Sequence, residues 1–94
     1  MEKEKARARV VISGRVQGVF FRMNTVRAAT RFDLSGWVRN RRDGTVEAMF
    51  EGDRKGVEAV LDWCRTGDPP ARVAGVKIEW EAFTGTYSGF DITR

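Results

Sequence analysis

The stretch ARARVVISGRVQGVFFRMNTVRAATRF, residues 6–32, changes its hydrophobic period once, and this change decides the fold. Its first part alternates apolar and more polar positions, which predicts a strand whose apolar face carries Ala8, Val10 and Ile12. Its second part repeats apolar residues at helical intervals from Phe21 onward, which predicts a helix. A short loop containing two glycines joins these segments, so the chain is expected to begin with a strand-loop-helix unit.

The remaining chain predicts a hairpin, a second helix and two more strands. The segment SGWVRNRRDGTVEAMFEG, residues 35–52, contains Asp43-Gly44, a pair typical of a two-residue type I′ turn. After it, an apolar stripe predicts a helix that begins after Asp53 as its N-cap and ends at Gly67. The stripe consists of Val57, Val60, Leu61 and Cys64. Alternating residues predict a fourth strand around residues 76–80 and a short last strand around residues 90–92.

This order of elements predicts an α+β fold, a ferredoxin-like split βαβ sandwich with an antiparallel sheet and two helices on one face. Residues 1–94 are expected to form a single domain, with residues 1–6 as a disordered N-terminal extension. In the second arm of the hairpin, Val46, Ala48 and Phe50 are expected to face inward. Glu47 and Glu51 are expected to face outward.

Composition excludes several classes of chemistry. The chain has no histidine and one cysteine, Cys64, so neither a histidine-based triad, a Cys/His zinc site nor an internal disulfide can form. No signal peptide and no apolar run long enough to span a membrane are present, and a cytoplasmic location is expected. The net charge of +4 is concentrated in residues 1–42, whereas residues 43–94 are net acidic. A basic half indicates an anionic partner.

The loop at residues 15–20 is the candidate binding site. A glycine-containing loop before a helix can direct several backbone N–H groups toward one anion, and the helix N-terminus adds partial positive charge. Arg22, in the first turn of the helix, adds a planar guanidinium that can bind two phosphate oxygens. Asn40, before the hairpin turn, has an amide that can hold a water molecule without ionising. Each residue alone is also compatible with a purely structural role.

The motif GRVQGVFFR, followed by GWVRNRRDGTVE, closely resembles the acylphosphatase family, and the resemblance covers almost the whole chain. It implies hydrolysis of the carboxyl–phosphate bond of acyl phosphates to a carboxylate and inorganic phosphate, with neither cofactor nor metal. It implies that Asn40 orients the attacking water and that Arg22 binds phosphate with the loop amides. The phosphate-binding loop residues are then Arg15, Val16, Gln17, Gly18, Val19 and Phe20.

One departure from the family pattern follows the first helix. The family usually has Leu-Gly-Leu there, whereas this chain has Phe32-Asp33-Leu34. Asp tolerates a left-handed helix end less well than Gly, so a small loss of stability is expected, without effect on the chemistry.

The expected partners are a small acyl phosphate and inorganic phosphate. The protein is expected to be a monomer that neither associates with a membrane nor binds a specific nucleic acid. Two alternatives stay open. The first is a nucleic-acid-binding ferredoxin-like domain, which the basic charge favours but the acidic third strand does not. The second is a module that binds anions without turnover.

Overall fold

The computed structural model describes residues 4–94, which form a five-stranded sheet and two helices. The elements in chain order are β1 (Lys5–Arg15), α1 (Phe21–Arg31), β2 (Ser35–Asn40), β3 (Val46–Asp53), α2 (Arg54–Thr66), β4 (Arg72–Glu81) and β5 (Phe90–Ile92). The order across the sheet is β4-β1-β3-β2-β5. The predicted ferredoxin-like α+β fold is confirmed.

The expectation of a wholly antiparallel sheet is wrong for β5. The pairs β1–β3, β1–β4 and β2–β3 are antiparallel, but β5 runs parallel to β2, with Val38 opposite Ile92. The segment between β4 and β5 crosses from one edge of the sheet to the other, and this crossing fixes the direction of the last strand. The sheet is therefore mixed.

The disordered extension expected at residues 1–6 is wrong in its last part. Lys5 and Ala6 already belong to β1, opposite Asp53 and Gly52 of β3, and Ala6 is buried. The side chain of Lys5 also forms an ion pair with Asp53 at 2.7 Å. The first three residues of this segment lie outside the described residues.

One core joins the two helices to one face of the sheet. The apolar face predicted for β1 and the apolar stripe predicted for α2 are both buried. The strand spacing and the helical spacing of these residues are therefore confirmed. The core includes Ala8, Val10, Ile12, Phe21, Val38, Val46, Ala48, Phe50, Val57, Val60 and Cys64. Within residues 4–94, no helix is long and apolar enough to cross a membrane.

The outward face of β3 is buried as well, contrary to expectation. Glu47 is 5% exposed and forms an ion pair with Arg39 at 2.6 Å, whereas Glu51 is fully buried. The Glu51 carboxylate accepts hydrogen bonds from the N–H groups of Thr84 and Gly85 at 2.9 and 3.1 Å. Burial pushes the pKa of Glu51 upward, but these bonds, a hydrogen bond from the Thr84 hydroxyl and the charge of Arg7 together outweigh it and hold the pKa below its ordinary value. Paired carboxylates are thus tolerated in a central strand.

The hairpin turn differs from the predicted type I′ turn. Of Asp43 and Gly44, only Gly44 has a positive φ, at 91°. The N–H of Arg41 donates to the carbonyl oxygen of Thr45 at 2.8 Å, which closes a loop of three residues. Asp43 accepts a hydrogen bond from the N–H of Thr45 at 3.0 Å, a local bond that favours this longer turn.

Asp33 occupies the left-handed position at the end of α1, as the departure from the family pattern suggested. Its φ is 58°, and its N–H donates to the carbonyl oxygen of Thr30 while that of Leu34 donates to Ala29. These two bonds form a Schellman motif, in which glycine usually occupies the left-handed residue.

Asp33→Gly is therefore expected to stabilise the protein. Removing the left-handed penalty outweighs the entropy that glycine adds to the unfolded chain, so the free energy of unfolding should rise by about 0.5–1 kcal/mol. Urea denaturation measures the change. Asp62→Gly, inside α2, is the control and should lower stability, because glycine is a poor helix former. A loss of stability in Asp33→Gly would contradict this interpretation.

Candidate active site

The chain around the loop between β1 and α1 adopts backbone conformations that favour glycine, but glycine occupies only some of these positions. Gly14 lies where the register of β1 against β4 shifts, and its φ is 121°. A Cβ atom there would collide with the carbonyl oxygen of Arg72. Gly18 has a φ of 72° and Phe20 a φ of 63°. The side chains of Val16 and Val19 are buried and anchor the loop, so the backbone between these anchors has a fixed shape.

The loop amides are available to an anion. Within residues 4–94, the N–H groups of residues 16–20 donate none of the backbone hydrogen bonds found outside helices and strands. The first turn of α1, which follows directly, contains no acidic residue. Free N–H groups beside an uncompensated helix N-terminus favour a bound anion.

Arg22 lines a pocket of about 290 Å³ at the start of α1. Its side chain is half-buried, and among residues 4–94 it has neither a carboxylate partner nor a side-chain hydrogen bond. By contrast, Arg7, Arg9 and Arg39 on the sheet are all paired with glutamates. An unpaired, half-buried guanidinium in a pocket is suited to bind an external anion.

The predicted site residues divide between this pocket and its surroundings. The pocket is lined by Val16, Gly18, Phe20 and Arg22 of the predicted set. Arg15 is exposed at the end of β1, and neither it nor Gln17, Val19 or Asn40 lines the pocket.

Asn40 is the last residue of β2 and has an unsatisfied side chain. Its Oδ1 atom is buried and has no hydrogen-bond partner within the described part of the chain. Buried amide oxygens almost always have a partner, frequently an ordered water. Asn40 lies two residues beyond Val38, which is paired with Ile92, and Ile92 lines the Arg22 pocket. Asn40 is therefore two residues further along β2 than the position that pairs with this pocket-lining residue.

Gln17 ties the loop to the hairpin that carries Asn40. Its Nε2 atom donates to the carbonyl oxygens of Arg41 at 2.8 Å and Thr45 at 2.9 Å. Arg41 follows Asn40 directly in the chain. The sequence predicted only a backbone role for Gln17, and nothing in the local pattern indicated that its side chain joins the two halves of the candidate site.

Gln17→Leu is expected to weaken substrate binding. The leucine side chain is similar in size but has no N–H, so both bonds to the hairpin are lost and KM should rise by about five- to thirtyfold. Gln17→Glu should behave alike, since a carboxylate repels the same two carbonyl oxygens. Steady-state kinetics measure the effect, with thermal unfolding as the check that the fold is retained. An unchanged KM in both variants would show that the link has no role in binding.

Other side chains are less suited to chemistry. Cys64 is buried in α2, and burial raises the pKa of its thiol to about 12, so it is a poor nucleophile. In residues 4–94, no group of three or more Cys, Asp or Glu residues is arranged to hold a metal ion. Met23 and Ile92 also line the Arg22 pocket, and neither was predicted from the sequence. Ile92 lies 70 residues after Arg22, so only the topology brings them together.

A family model, related sequences and solved structures point to the same family for this chain. The family model described as Acylphosphatase matches residues 8–92. A relative from Pelotomaculum thermopropionicum, named acylphosphatase, is 53% identical over 88 residues, which cover 94% of this chain and 96% of that protein. The crystal structure of acylphosphatase from Bacillus subtilis matches with a TM-score of 0.91 at 30% identity, covering 95% of this chain and 99% of that one. The structure of an acylphosphatase from Coxiella burnetii also has a TM-score of 0.91, at 34% identity, covering 99% of both chains. This chain therefore belongs to the acylphosphatase family of hydrolases.

Proposed function

We propose that this enzyme hydrolyses acyl phosphates by direct attack of water on phosphorus. In this mechanism Arg22 and the amides of residues 15–20 hold the phosphoryl group, and Asn40 holds the water. The observation that carries the proposal concerns the described residues 4–94: the Arg22 guanidinium has no carboxylate partner among them, and it lines a pocket beside loop amides that donate no backbone hydrogen bonds there. Gln17 supports it, because its side chain bonds the loop to the residue after Asn40.

The phosphoryl group would be stabilised by charge and positioning. Phosphoryl transfer spreads negative charge over the non-bridging oxygens, and fixed donors that face these oxygens lower the barrier. The guanidinium of Arg22 supplies a planar fork, and the N–H groups of the loop supply further donors. Because the fold would hold these donors in place before the reaction, little reorganisation would be required.

Water would be positioned by Asn40. The unsatisfied Oδ1 atom can accept a hydrogen bond from a water molecule and thereby orient the water oxygen toward phosphorus. As the new P–O bond forms, the bond between phosphorus and the carboxyl oxygen breaks, and the electron pair leaves with the carboxylate. One proton of the water passes to a phosphoryl oxygen, and the other stays on the attacking oxygen, so the products are the carboxylate and inorganic phosphate. A carboxylate, with a pKa of about 4, leaves without a general acid, which suits a chain without histidine.

The proposed reaction uses no metal ion and no second chain. Arg22 and the amides provide the positive charge that a metal would otherwise supply. Monomeric state and cytoplasmic location remain predictions. A nucleic-acid-binding role is less well supported, because Arg7, Arg9 and Arg39 on the sheet are paired with glutamates. Such pairing reduces the charge that these three arginines could offer to a phosphate backbone.

Release of inorganic phosphate from benzoyl phosphate tests the proposal. The purified protein should hydrolyse benzoyl phosphate well above the spontaneous rate, and EDTA should leave the rate unchanged. Loss of activity with EDTA, restored by a divalent cation, would contradict the metal-free mechanism. Absence of hydrolysis would contradict the proposed activity itself.

A further inference from the structure

Exposed apolar side chains are concentrated around the Arg22 pocket. Within residues 4–94, the large apolar side chains that are exposed include Phe20 at 70%, Met23 at 47% and Ile92 at 46%, and all three line this pocket. They come from the loop, from α1 and from β5, so a single helix or strand face does not explain them. We call these three residues the acyl shelf. A cluster of exposed apolar side chains beside a polar group is typical of a ligand site.

The backbone conformation of Phe20 supports a functional role for its exposed ring. A bulky residue with a φ of 63° is in the left-handed region, which is unfavourable for any residue with a Cβ atom. The ring is not buried, so core packing does not compensate for this conformation. Gly18, two residues earlier, adopts a similar φ without strain. Asp33 has a similar φ because it ends α1 in a Schellman motif, whereas Phe20 precedes α1, and such strain clusters at functional sites.

The chemistry of the pocket indicates what the shelf contacts. Among the pocket-lining residues in the described part of the chain, Arg22 is the one that carries a charge. A phosphoryl group bound to Arg22 carries its acyl carbon through a single bridging oxygen, so the acyl substituent must extend either over the shelf or into solvent. Contact with the shelf removes apolar surface of both partners from water, which favours the first arrangement.

We infer that the acyl shelf selects acyl phosphates with an apolar or aromatic acyl group over those with a small one. The inference rests on the proposed function, since it needs the phosphoryl group at Arg22. It also predicts poor acceptance of a second carboxylate on the acyl group. Such a charge would lie against apolar side chains, and Arg22 would already be occupied by phosphate.

A substrate series with shelf variants tests this inference. The wild-type enzyme should have a kcat/KM for benzoyl phosphate about tenfold or more above that for acetyl phosphate, a ratio expected for a buried apolar group. Met23→Ala and Ile92→Ala should each lower this ratio by about threefold, and the double variant by about tenfold, chiefly through KM for benzoyl phosphate. Phe20→Ala should lower the ratio as well.

Phe83→Ala is the matched control. Phe83 is 42% exposed but does not line the pocket, so the ratio should stay at the wild-type value. If the wild-type enzyme hydrolyses both substrates but the ratio is unchanged in the double variant, the shelf has no role in selection. A ratio that rises in the shelf variants would also overturn the inference. Failure to hydrolyse either substrate would instead contradict the proposed function.

Discussion

Arg22→Lys is expected to reduce kcat/KM for benzoyl phosphate by about a hundredfold or more, because lysine replaces the planar fork by a single point charge. The amine can approach one phosphoryl oxygen but cannot bind two at once. Stability should change little, since Arg22 has no ion pair within residues 4–94 whose loss would matter. Steady-state kinetics and thermal unfolding of the same preparation separate these two effects.

Arg31→Lys is the matched control for this experiment. Arg31 is on the same helix, is exposed, and lies in its last turn, away from the pocket. The control should keep wild-type kinetics. If Arg22→Lys retained activity within about threefold of the wild type, a bidentate contact would not be part of the transition state.

Asn40→Ala is expected to lower kcat by about a hundredfold or more while inorganic phosphate still binds, since the variant loses the group that orients water but keeps Arg22 and the loop. The fold should tolerate the change. The alanine removes a buried oxygen that has no partner among the described residues, so no internal hydrogen bond is lost. Calorimetric titration with phosphate and single-turnover kinetics with benzoyl phosphate measure binding and chemistry separately.

Asn24→Ala provides the comparison for Asn40. Asn24 is another half-buried asparagine, on α1, and it lies outside the Arg22 pocket. Its replacement should leave kcat unchanged. Loss of phosphate binding in Asn40→Ala, in parallel with loss of turnover, would assign Asn40 to phosphate binding. An unchanged kcat would remove it from the mechanism.

Sequence periodicity predicted the order and type of all seven elements, because each helix and strand repeats apolar residues at the spacing of its own type. Periodicity did not predict burial where charged side chains are buried through ion pairs and hydrogen bonds. Glu47 and Glu51 look like surface residues in the sequence, but arginines and the segment at Thr84 cover them. The direction of β5 was also predicted wrongly, for a different reason. A strand of three residues has too little sequence pattern to specify which strand it pairs with.

The candidate site could be predicted only in part from the sequence. Local motifs indicated the loop, Arg22 and Asn40, since free amides, a guanidinium and an amide side chain have recognisable chemistry. The contribution of Gln17 depends on a contact 24 residues away, and that of Ile92 on the parallel pairing of β5 with β2. Neither contact leaves a trace in the local sequence. Tertiary structure was needed to connect the halves of the site.

Hydrolysis of benzoyl phosphate in ¹⁸O-labelled water tests most directly the central claim that positioned water attacks phosphorus. Mass spectrometry of the products after complete turnover locates the new oxygen. The mechanism predicts that the label enters inorganic phosphate and that benzoate stays unlabelled, because the bond between phosphorus and the carboxyl oxygen is the one that breaks. Label in benzoate would mean attack at the carbonyl carbon, and it would contradict the roles proposed for Arg22 and Asn40.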